Sequence, residues 1–440
     1  MSFTPAYITK FSHTHRSTSV YQMVWKWHFF AALYVLPFMA MLSVTGALYL
    51  FDDSIENILY NNRLNVVNQD QRLSYITQEK AVLATGEKLQ IRSIFTPSEE
   101  GRSVLFEYQD KARTRSYAWV DPYTANVLAV QERDNTFMRI DRKIHGELLL
   151  GDIGTKFVEL AAHWAIVLFV TGLYLWWPRG NRTWRKVFTL PNRKGRMWWK
   201  QTHMFAGVLA CVLVVPILVT GLPWTDVWGG MLKSVQSYTG QESPSRAFGG
   251  APILSNKSIK QRLSYERVIE IAQTAGAPEP YEIRPPKNLT GTYYVVSSID
   301  SRTDRVELHI DQFSGAIVNR VDFDDYPPIA AAVSLGIAFH QGELYGLVNK
   351  LQNLLAAGLG LTLSITGFVA WWKRRPAGSI GVPQTMLSNS LGKGLAISII
   401  VLAVLLPLMG LSLIVVLLLD WILFRKLGWF QSAFVRVNDG

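Results

Sequence analysis

The sequence is poor in cysteine and lacks the common nucleotide-binding motifs. Cys211 is the only cysteine among 440 residues, which excludes internal disulfides, thiolate zinc sites, iron–sulfur clusters and the C-x-x-C-H attachment of c-type haem. We find no G-x-G-x-x-G after a strand, no P-loop and no flavin fingerprint, so we do not expect the chain to bind its own nicotinamide or flavin. Histidine or carboxylate must therefore hold any metal cofactor.

Long apolar runs are abundant. Hydrophobic residues make up 49% of the chain, and five runs approach the ~20 residues that cross ~30 Å of hydrocarbon. The first run is too long for a cleaved signal and lacks a small-residue cleavage site, so we expect an uncleaved signal anchor. The fifth contains Pro407, which favours a kink. The predicted spans are 27–50, 156–177, 203–224, 350–372 and 394–420.

Acidic residues are absent from the segment 178–200, which carries eight basic residues. Basic short loops stay in the cytoplasm, so this loop, the amino terminus and the WWKRR segment 371–375 are expected there. The net charge of +11 would then face anionic membrane lipids, and nucleic-acid binding is not expected. The expected order is an arm with span 1 (1–50), a polar domain across the membrane (51–155), spans 2 and 3 (156–224), a second such domain (225–349), span 4 (350–372), span 5 (394–420) and a tail (421–440).

The chain repeats itself. Residues 145–179 align without a gap on residues 340–374, and His28 with Thr45-Gly46 returns as His203 with Thr220-Gly221. The coinciding positions of the longer repeat are histidines, Thr-Gly pairs and Trp-Trp pairs, namely His145 with His340, Thr171-Gly172 with Thr366-Gly367, and Trp176-Trp177 with Trp371-Trp372. We infer two copies of one membrane unit, each with a histidine near either end.

The two polar segments also match each other. The letters QRLSY begin a predicted helix at both 71–86 and 261–276, and strand-like runs follow each helix. Both closing hairpins carry an Asp-x-aromatic turn, at Asp121 and at Asp311. Each segment is therefore predicted to be a small α+β module.

These modules, set between spans with H…TG and TGxxxWW patterns, resemble the PepSY-associated transmembrane family over nearly the whole chain. The resemblance implies an α-helical membrane bundle of four core spans in two internal repeats plus a fifth span, with two small α+β periplasmic domains. The family includes bacterial inner-membrane reductases of ferric siderophores and other ferric iron, which hold b-type haems between their spans. This chain departs from the pattern at Thr124-Ala125, where the second hairpin has Ser314-Gly315, and a two-haem core needs no fifth span.

Five of the eight histidines lie in or beside predicted spans. A polar side chain in hydrocarbon is costly, and two axial imidazoles give haem b a six-coordinate centre suited to electron transfer. The repeat predicts a first pair, His28 and His203, and a second pair, His145 and His340, each holding one non-covalent haem. From His28 to Leu50 is 22 residues, or ~33 Å of helix, which favours two sites near opposite membrane faces.

His163 breaks this symmetry, because its repeat partner is Gly358. It is an alternative ligand of the second haem, with Gly358 making room, or a contact to a propionate. A helix from His145 to Trp177 would exceed the bilayer, so His145 is expected either beyond the hydrocarbon core or on a bent entry segment, with the bend at Gly151. The opposing interpretation is that each histidine is a solvated interfacial residue. His309, His13 and His15 are expected at the surface.

Several neighbouring residues have two interpretations each. Lys26 and Lys200, with Trp25, Trp198 and Trp199, either hold haem propionates or anchor the chain at the interface. The Thr-Gly pairs permit close approach of helices or of a flat haem. Glu147 and Glu343 either contact a ferric substrate or an imidazole N–H, or are solvated.

The favoured hypothesis is an inner-membrane dihaem reductase of periplasmic ferric chelates, fed by a cytoplasmic reductase or by membrane quinol. The main alternative is a haem-free regulator or assembly factor, whose PepSY-like modules bind a protease or another envelope partner. A transporter is a weaker alternative, because charges interrupt the spans only at their ends.

Overall fold

The computed structural model describes residues 9–178, 195–245, 253–255, 261–376, 393–420 and 422, with side chains from residue 20 onward except at 393, 395, 396 and 420. The chain divides into two units. A helical unit comprises Met1–Val44, Gly146–Met231 and Leu355–Gly440, and a sheet unit comprises Thr45–His145 and Leu232–Leu354.

Four helices are long and apolar enough to cross a membrane, which confirms a membrane protein. They are α1 (Thr9–Tyr49), α6 (Asp152–Trp176), α7 (Arg196–Gly221) and α11 (Leu347–Trp372). The apolar stretch of α1 is Val20–Tyr49, and that of α7 continues through the following 3₁₀ turn as Arg196–Trp224. These apolar stretches match the first four predicted spans to within one residue at the carboxyl-terminal end, and they begin three to seven residues earlier. The other described helices are α2 (Asp52–Leu59), α3 (Asn61–Leu64), α4 (Tyr75–Leu83), α5 (Phe137–Glu147), α8 (Val227–Thr239), α9 (Tyr265–Thr274), α10 (Pro328–Gln341), α12 (Lys393–Leu405) and α13 (Pro407–Asp420).

The predicted fifth span is divided. The helix is interrupted at Leu406. Its two parts, α12 and α13, have 13 and 14 residues, and each is shorter than the ~20 residues that a spanning helix needs. An added Cβ at Gly410 would lie 2.8 Å from the carbonyl oxygen of Ala403, so the two helices turn sharply against each other. Trp164 Nε1 donates to Ser412 and Trp228 Nε1 donates to the Leu405 carbonyl, which hold this pair against the helical unit.

The sheet unit contains one eight-stranded antiparallel sheet in the order β4-β3-β2-β1-β5-β6-β7-β8. The strands are β1 (Gln90–Phe95), β2 (Val104–Gln109), β3 (Arg115–Val120), β4 (Val127–Glu132), β5 (Tyr281–Arg284), β6 (Thr292–Ser297), β7 (Glu307–Asp311) and β8 (Ile317–Val321). The strands predicted from alternation are thus confirmed. The modules suggested as separate domains share one sheet, because β1 of the first pairs with β5 of the second through Ile94 and Ile283.

One face of the sheet carries the apolar core. Val82 of α4 and Val268 of α9 are fully buried with Phe106 and Ile283 of the strands. The QRLSY letters recur because their serine caps each helix: Ser74 Oγ accepts from the Thr77 N–H and Ser264 Oγ from the Arg267 N–H.

The turn that closes each hairpin is the same despite the sequence departure. Asp121 accepts from the Tyr123 N–H at 2.8 Å, and Asp311 accepts from the Phe313 N–H at 2.9 Å. Ala125 and Gly315 both take positive φ values, 57° and 78°. Alanine therefore adopts here the left-handed conformation that glycine adopts more easily.

His309 lies inside the sheet unit, so the prediction of a surface histidine was wrong. It is 7% exposed, contacts the Tyr294 ring at 5.1 Å and shares a hydrogen bond with Thr292. The strand itself was predicted correctly. However, β7 is buried along its whole length, and alternation of polar and apolar residues does not predict burial on both faces of a strand. The side chains of His13 and His15 lie outside the described residues.

Bends separate α5 from α6 and α10 from α11. Gly151 has φ 58°, as its predicted position at a bend requires, and an added Cβ at Gly154 would collide with the carbonyl oxygen of Glu147. In the second bend Gly342 and Gly346 have positive φ, and the buried Asn353 donates to the Phe339 carbonyl at 2.7 Å. A glycine with positive φ thus lies in each of the two bends.

Candidate cofactor sites at paired histidines

His28 on α1 contacts the Thr-Gly pair of α6. Its Nδ1 lies 2.9 Å from Thr171 Oγ1, and an added Cβ at Gly172 would lie 3.4 Å from its Cε1. Thr171 Oγ1 also donates to the Val167 carbonyl at 2.8 Å. A hydroxyl has one hydrogen, so with that donation made Oγ1 accepts from the histidine N–H. Nδ1 then carries the proton and Nε2 keeps the lone pair that a metal requires.

His203 on α7 makes the same contacts with α11. Its Nδ1 lies 3.2 Å from Thr366 Oγ1, and an added Cβ at Gly367 would lie 3.3 Å from its Cε1. Thr366 Oγ1 donates to the Thr362 carbonyl at 2.6 Å, which assigns the same tautomer to His203. We call this arrangement, a threonine hydroxyl at Nδ1 and the next glycine against Cε1, a histidine seat.

Both histidines of the first pair line one cavity of about 660 Å³ in the helical unit. Its wall is mostly apolar and includes Trp25, Phe29 and the two seat glycines. The volume lies within the range of pockets that bind organic cofactors, roughly 300–1,000 Å³. The predicted pairing of His28 with His203 therefore coincides with a cavity that both side chains reach.

Three cations also line this cavity: Arg196, Lys200 and Arg374. The Arg374 guanidinium lies 4.5 Å from the Trp25 ring centroid and 5.3 Å from that of Phe29, which holds it at the wall. Lys200 was predicted as a propionate contact and lines the cavity, whereas Lys26, described with it, is not among the lining residues. The sequence analysis assigned no role to Arg196 or Arg374. The sequence signal that could have pointed to Arg374 is its position in the repeat, two residues after Trp372.

The second pair lies in the sheet unit. The ring centroids of His145 and His340 are 6.5 Å apart, with the ring planes at 84°. A metal ion bound at about 2 Å by one nitrogen of each ring would separate the centroids by about 6 Å. The two imidazoles predicted as a pair are thus at the spacing of ligands that share one metal.

His145 occupies a third histidine seat. Its Nδ1 lies 2.8 Å from Thr45 Oγ1, and an added Cβ at Gly46 would lie 3.4 Å from its Cε1. Burial, and after it the neighbouring His340, lowers the pKa of His145 to about 4. The imidazole is therefore neutral, which is the form that binds metals. His340 is held through its backbone, because Asn353 donates to its carbonyl at 3.1 Å.

His163 is fully buried on α6, and neither ring nitrogen has a hydrogen-bond partner among the described residues. Its Nε2 lies 3.8 Å from Oε1 of Glu159, also fully buried. Glu159 accepts from the backbone N–H groups of Val227 and Trp228 at 2.9 and 2.8 Å, where the start of α8 favours a negative charge. No atom lies within 4 Å of an added Cβ at Gly358. Ligation by His163 stays a prediction.

Glu343, expected near the second pair, forms ion pairs. Its Oε2 lies 3.2 Å from Arg302 Nε and 3.6 Å from Arg305 Nη2. Arg302 also donates to Gln341 beside His340, at 2.6 Å. Glu343 therefore fastens the loop before β7 to the end of α10, whereas no hydrogen bond or ion pair is described for the Glu147 side chain.

The donor set of both sites fits an iron porphyrin. Within the described ranges no group of three or more His, Cys, Asp or Glu side chains could hold a bare metal ion. A porphyrin brings four nitrogen ligands of its own, so two imidazoles complete six-fold coordination. The cations at the first cavity match the carboxylates of such a group.

The fold and these sites define a membrane protein with apolar helices of spanning length, a sheet unit, one cavity lined by two histidines and one pair of adjacent histidines. The family model named PepSY-associated TM region matches residues 25–374. The chain belongs to this family, as its motifs indicated. A search of curated proteins found no match to the chain.

Proposed function

We propose that the protein is a dihaem b oxidoreductase of the bacterial inner membrane that reduces periplasmic ferric iron bound by a siderophore or another chelator. The observation that carries the proposal is the histidine seat, which occurs at His28, His203 and His145. Close helix packing needs glycine but no threonine–imidazole hydrogen bond. A tautomer with a bare Nε2 is what an axial ligand requires.

The chain's own residues would hold and insulate the two haems. His28 with His203 and His145 with His340 would hold the irons of the two haems, and Arg196, Lys200 and Arg374 would contact the propionates of the first haem. When bound, each haem supplies a reversible one-electron iron couple. The apolar cavity wall would exclude water from the first haem.

The proposed direction follows from the charge of the loops. The basic loop 178–200, whose residues 179–194 lie outside the described part, would face the cytoplasm and dock an acidic electron donor; membrane quinol is the other candidate donor. The sheet unit would then lie in the periplasm. The proposed topology includes the two repeated membrane units and the divided fifth apolar run. Hard oxygen ligands prefer ferric to ferrous iron, so one electron suffices to release the metal.

The test is the haem content of the purified full-length protein, measured by its dithionite-reduced absorption spectrum and by haem per chain. We expect two low-spin haems. Replacing either member of a pair, as in His28→Leu or His145→Leu, should remove one haem, whereas His13→Leu in the amino-terminal arm should keep both. Reduction of a ferric chelate by the reduced protein should be measurable with a ferrous-specific dye.

A colourless protein would contradict the proposal. So would a full haem content after substitution of both members of a pair. Either result would favour the haem-free regulator, whose activity should not depend on His28 or His203.

A further inference from the structure

We propose that the seam between β1 and β5 binds an anionic ferric chelate through four basic residues, Arg92, Arg115, Arg284 and Lys287, called here the seam cations. The inference rests on the proposed function and names its substrate class: chelates whose carboxylate or catecholate groups leave a net negative charge. Neutral hydroxamate chelates would gain nothing from this surface.

The strand register brings the seam cations together. Ser93 of β1 lies opposite Glu107 of β2, and Phe95 lies opposite Glu282 of β5. The pairing shifts between Ile91 and Ser93, so Arg92 sits at a bulge, where a side chain is redirected. Arg115 begins β3 and Arg284 ends β5. The two modules each contribute two of the four cations, so the site requires that they share one sheet.

The carboxylates at the seam are already in use. Glu107 Oε1 lies 3.3 Å from Arg115 and 3.1 Å from Arg133. Glu282 accepts two hydrogen bonds from Arg284, at 2.7 and 3.2 Å, and one from Ser93. Arg92 and Lys287 form no ion pair with any residue that the structure describes. The seam therefore has cations in excess.

The excess has an electrostatic effect at the seam. The pKa of Lys287 is lowered. The largest cause is the charge of Arg92, followed by burial and then by the charges of Arg115 and Arg284. Burial, and after it Arg115, lowers the pKa of Arg92. Like charges held this close destabilise the free protein, and a bound anion would remove that repulsion.

The side chains also have the right geometry for carboxylates. A guanidinium presents paired N–H groups that match the two oxygens of one carboxylate. Arg284 is held in place by Glu282 and by the Tyr294 ring, 4.9 Å from its guanidinium carbon, while Lys287 is exposed. The seam thus combines oriented and mobile cations on the unit proposed to meet the substrate.

The test is calorimetric titration of the full-length protein in detergent with gallium citrate, a redox-inert analogue of ferric citrate. Arg92→Gln/Lys287→Gln should weaken binding by at least about tenfold, because two charged contacts to the anion are lost together. The control Lys80→Gln/Arg267→Gln removes one lysine and one arginine from α4 and α9, which pack on the other face of the sheet. It should bind like the unmodified protein.

Three further titrations complete the design. The charge-conserving Arg92→Lys/Lys287→Arg should retain most of the binding, which separates charge from misfolding. Neutral gallium acetohydroxamate should bind equally weakly to all variants. Metal-free citrate, the other source of the same carboxylates, should bind more weakly than its gallium complex.

Equal binding by the seam variant and the control would overturn the inference, as would equal binding of metal-free citrate and gallium citrate. The readout does not involve haem. A haem-free protein that binds gallium citrate through the seam would therefore contradict only the proposed function, and a dihaem protein indifferent to the seam variant would contradict only this inference.

Discussion

At the scale of single residues, the threonines of the Thr-Gly pairs have a role that packing alone does not explain. Glycine permits close approach, but at three positions the preceding hydroxyl also lies at an imidazole Nδ1, at 2.8 to 3.2 Å. The sequence showed that histidines and Thr-Gly pairs recur. It did not show which threonine meets which histidine, because the partners are 100 to 163 positions apart.

The seats predict an effect on the haem potential. Thr171→Val or Thr366→Val removes the acceptor of the Nδ1–H, which makes the imidazole a weaker donor and disfavours ferric iron. We expect the midpoint potential of one haem to rise by about 20–60 mV, the equivalent of a hydrogen bond of about 0.5–1.5 kcal/mol. Redox titration followed by absorption measures it.

The matched control is Thr362→Val on α11, whose hydroxyl is exposed and donates to the Gly358 carbonyl of its own helix. It should leave both potentials unchanged. An unchanged potential in Thr171→Val would contradict the assigned tautomer.

A second residue-scale prediction concerns Asp141, which is 5% exposed and whose Oδ2 has no hydrogen-bond partner in the described part of the chain. Burial raises its pKa from 3.8 to about 6. The folded state then binds this proton more tightly than the unfolded chain does, so the contribution to stability is present below about pH 4 and lost as the pH rises through about 6.

Asp141→Asn should accordingly stabilise the protein at pH 8 by about 1–3 kcal/mol and give little gain at pH 4. Thermal unfolding in detergent at both pH values measures this. Asp70→Asn, at an exposed aspartate, is the control, and a gain of equal size at the two pH values would refute the explanation.

At the scale of elements, the bend before α6 depends on a close approach of two backbones. Gly154→Ala would place a Cβ against the Glu147 carbonyl oxygen, which cannot move aside as a side chain can. We expect destabilisation of about 3 kcal/mol or more, or loss of folded protein. Gly146→Ala in α5 meets no atom within 4 Å and should change stability by no more than about 1 kcal/mol. Thermal unfolding of both variants compares them, and similar stabilities would contradict the proposed role of Gly154.

Elements were predictable wherever one period dominated the sequence. Four spans and the strands of both modules follow from apolar runs and from alternation. The helices α5, α8 and α10 flank spans and were not predicted, since a short helix beside a long apolar run has no distinct period. The fifth apolar run is divided at Leu406, immediately before Pro407, where the sequence favoured a kink. Only the contacts of the two halves with Trp164 and Trp228 could not be read from the sequence, because these residues are distant in the chain.

At the scale of the whole molecule, the sheet unit is one structure built from two similar segments. Each module alone would leave the edge of β1 or β5 unpaired, and exposed strand edges favour aggregation. Pairing of β1 with β5 removes both edges and brings the seam cations of the two modules together. Sequence similarity between the modules indicated duplication, but not that the copies join.

The sequence by itself determined the membrane class, the family, the strand-rich modules and the histidines to consider, because each depends on local composition, periodicity or repetition. Only the tertiary structure decided that His28 and His203 reach one cavity, that Arg374 lines it, that His309 is buried and that four cations meet at one seam. These facts depend on contacts between residues far apart in the chain, and such contacts leave no period in the sequence. The course of the chain after a helix ends and the burial of both faces of a strand are also set by neighbouring segments that are present only in the folded protein.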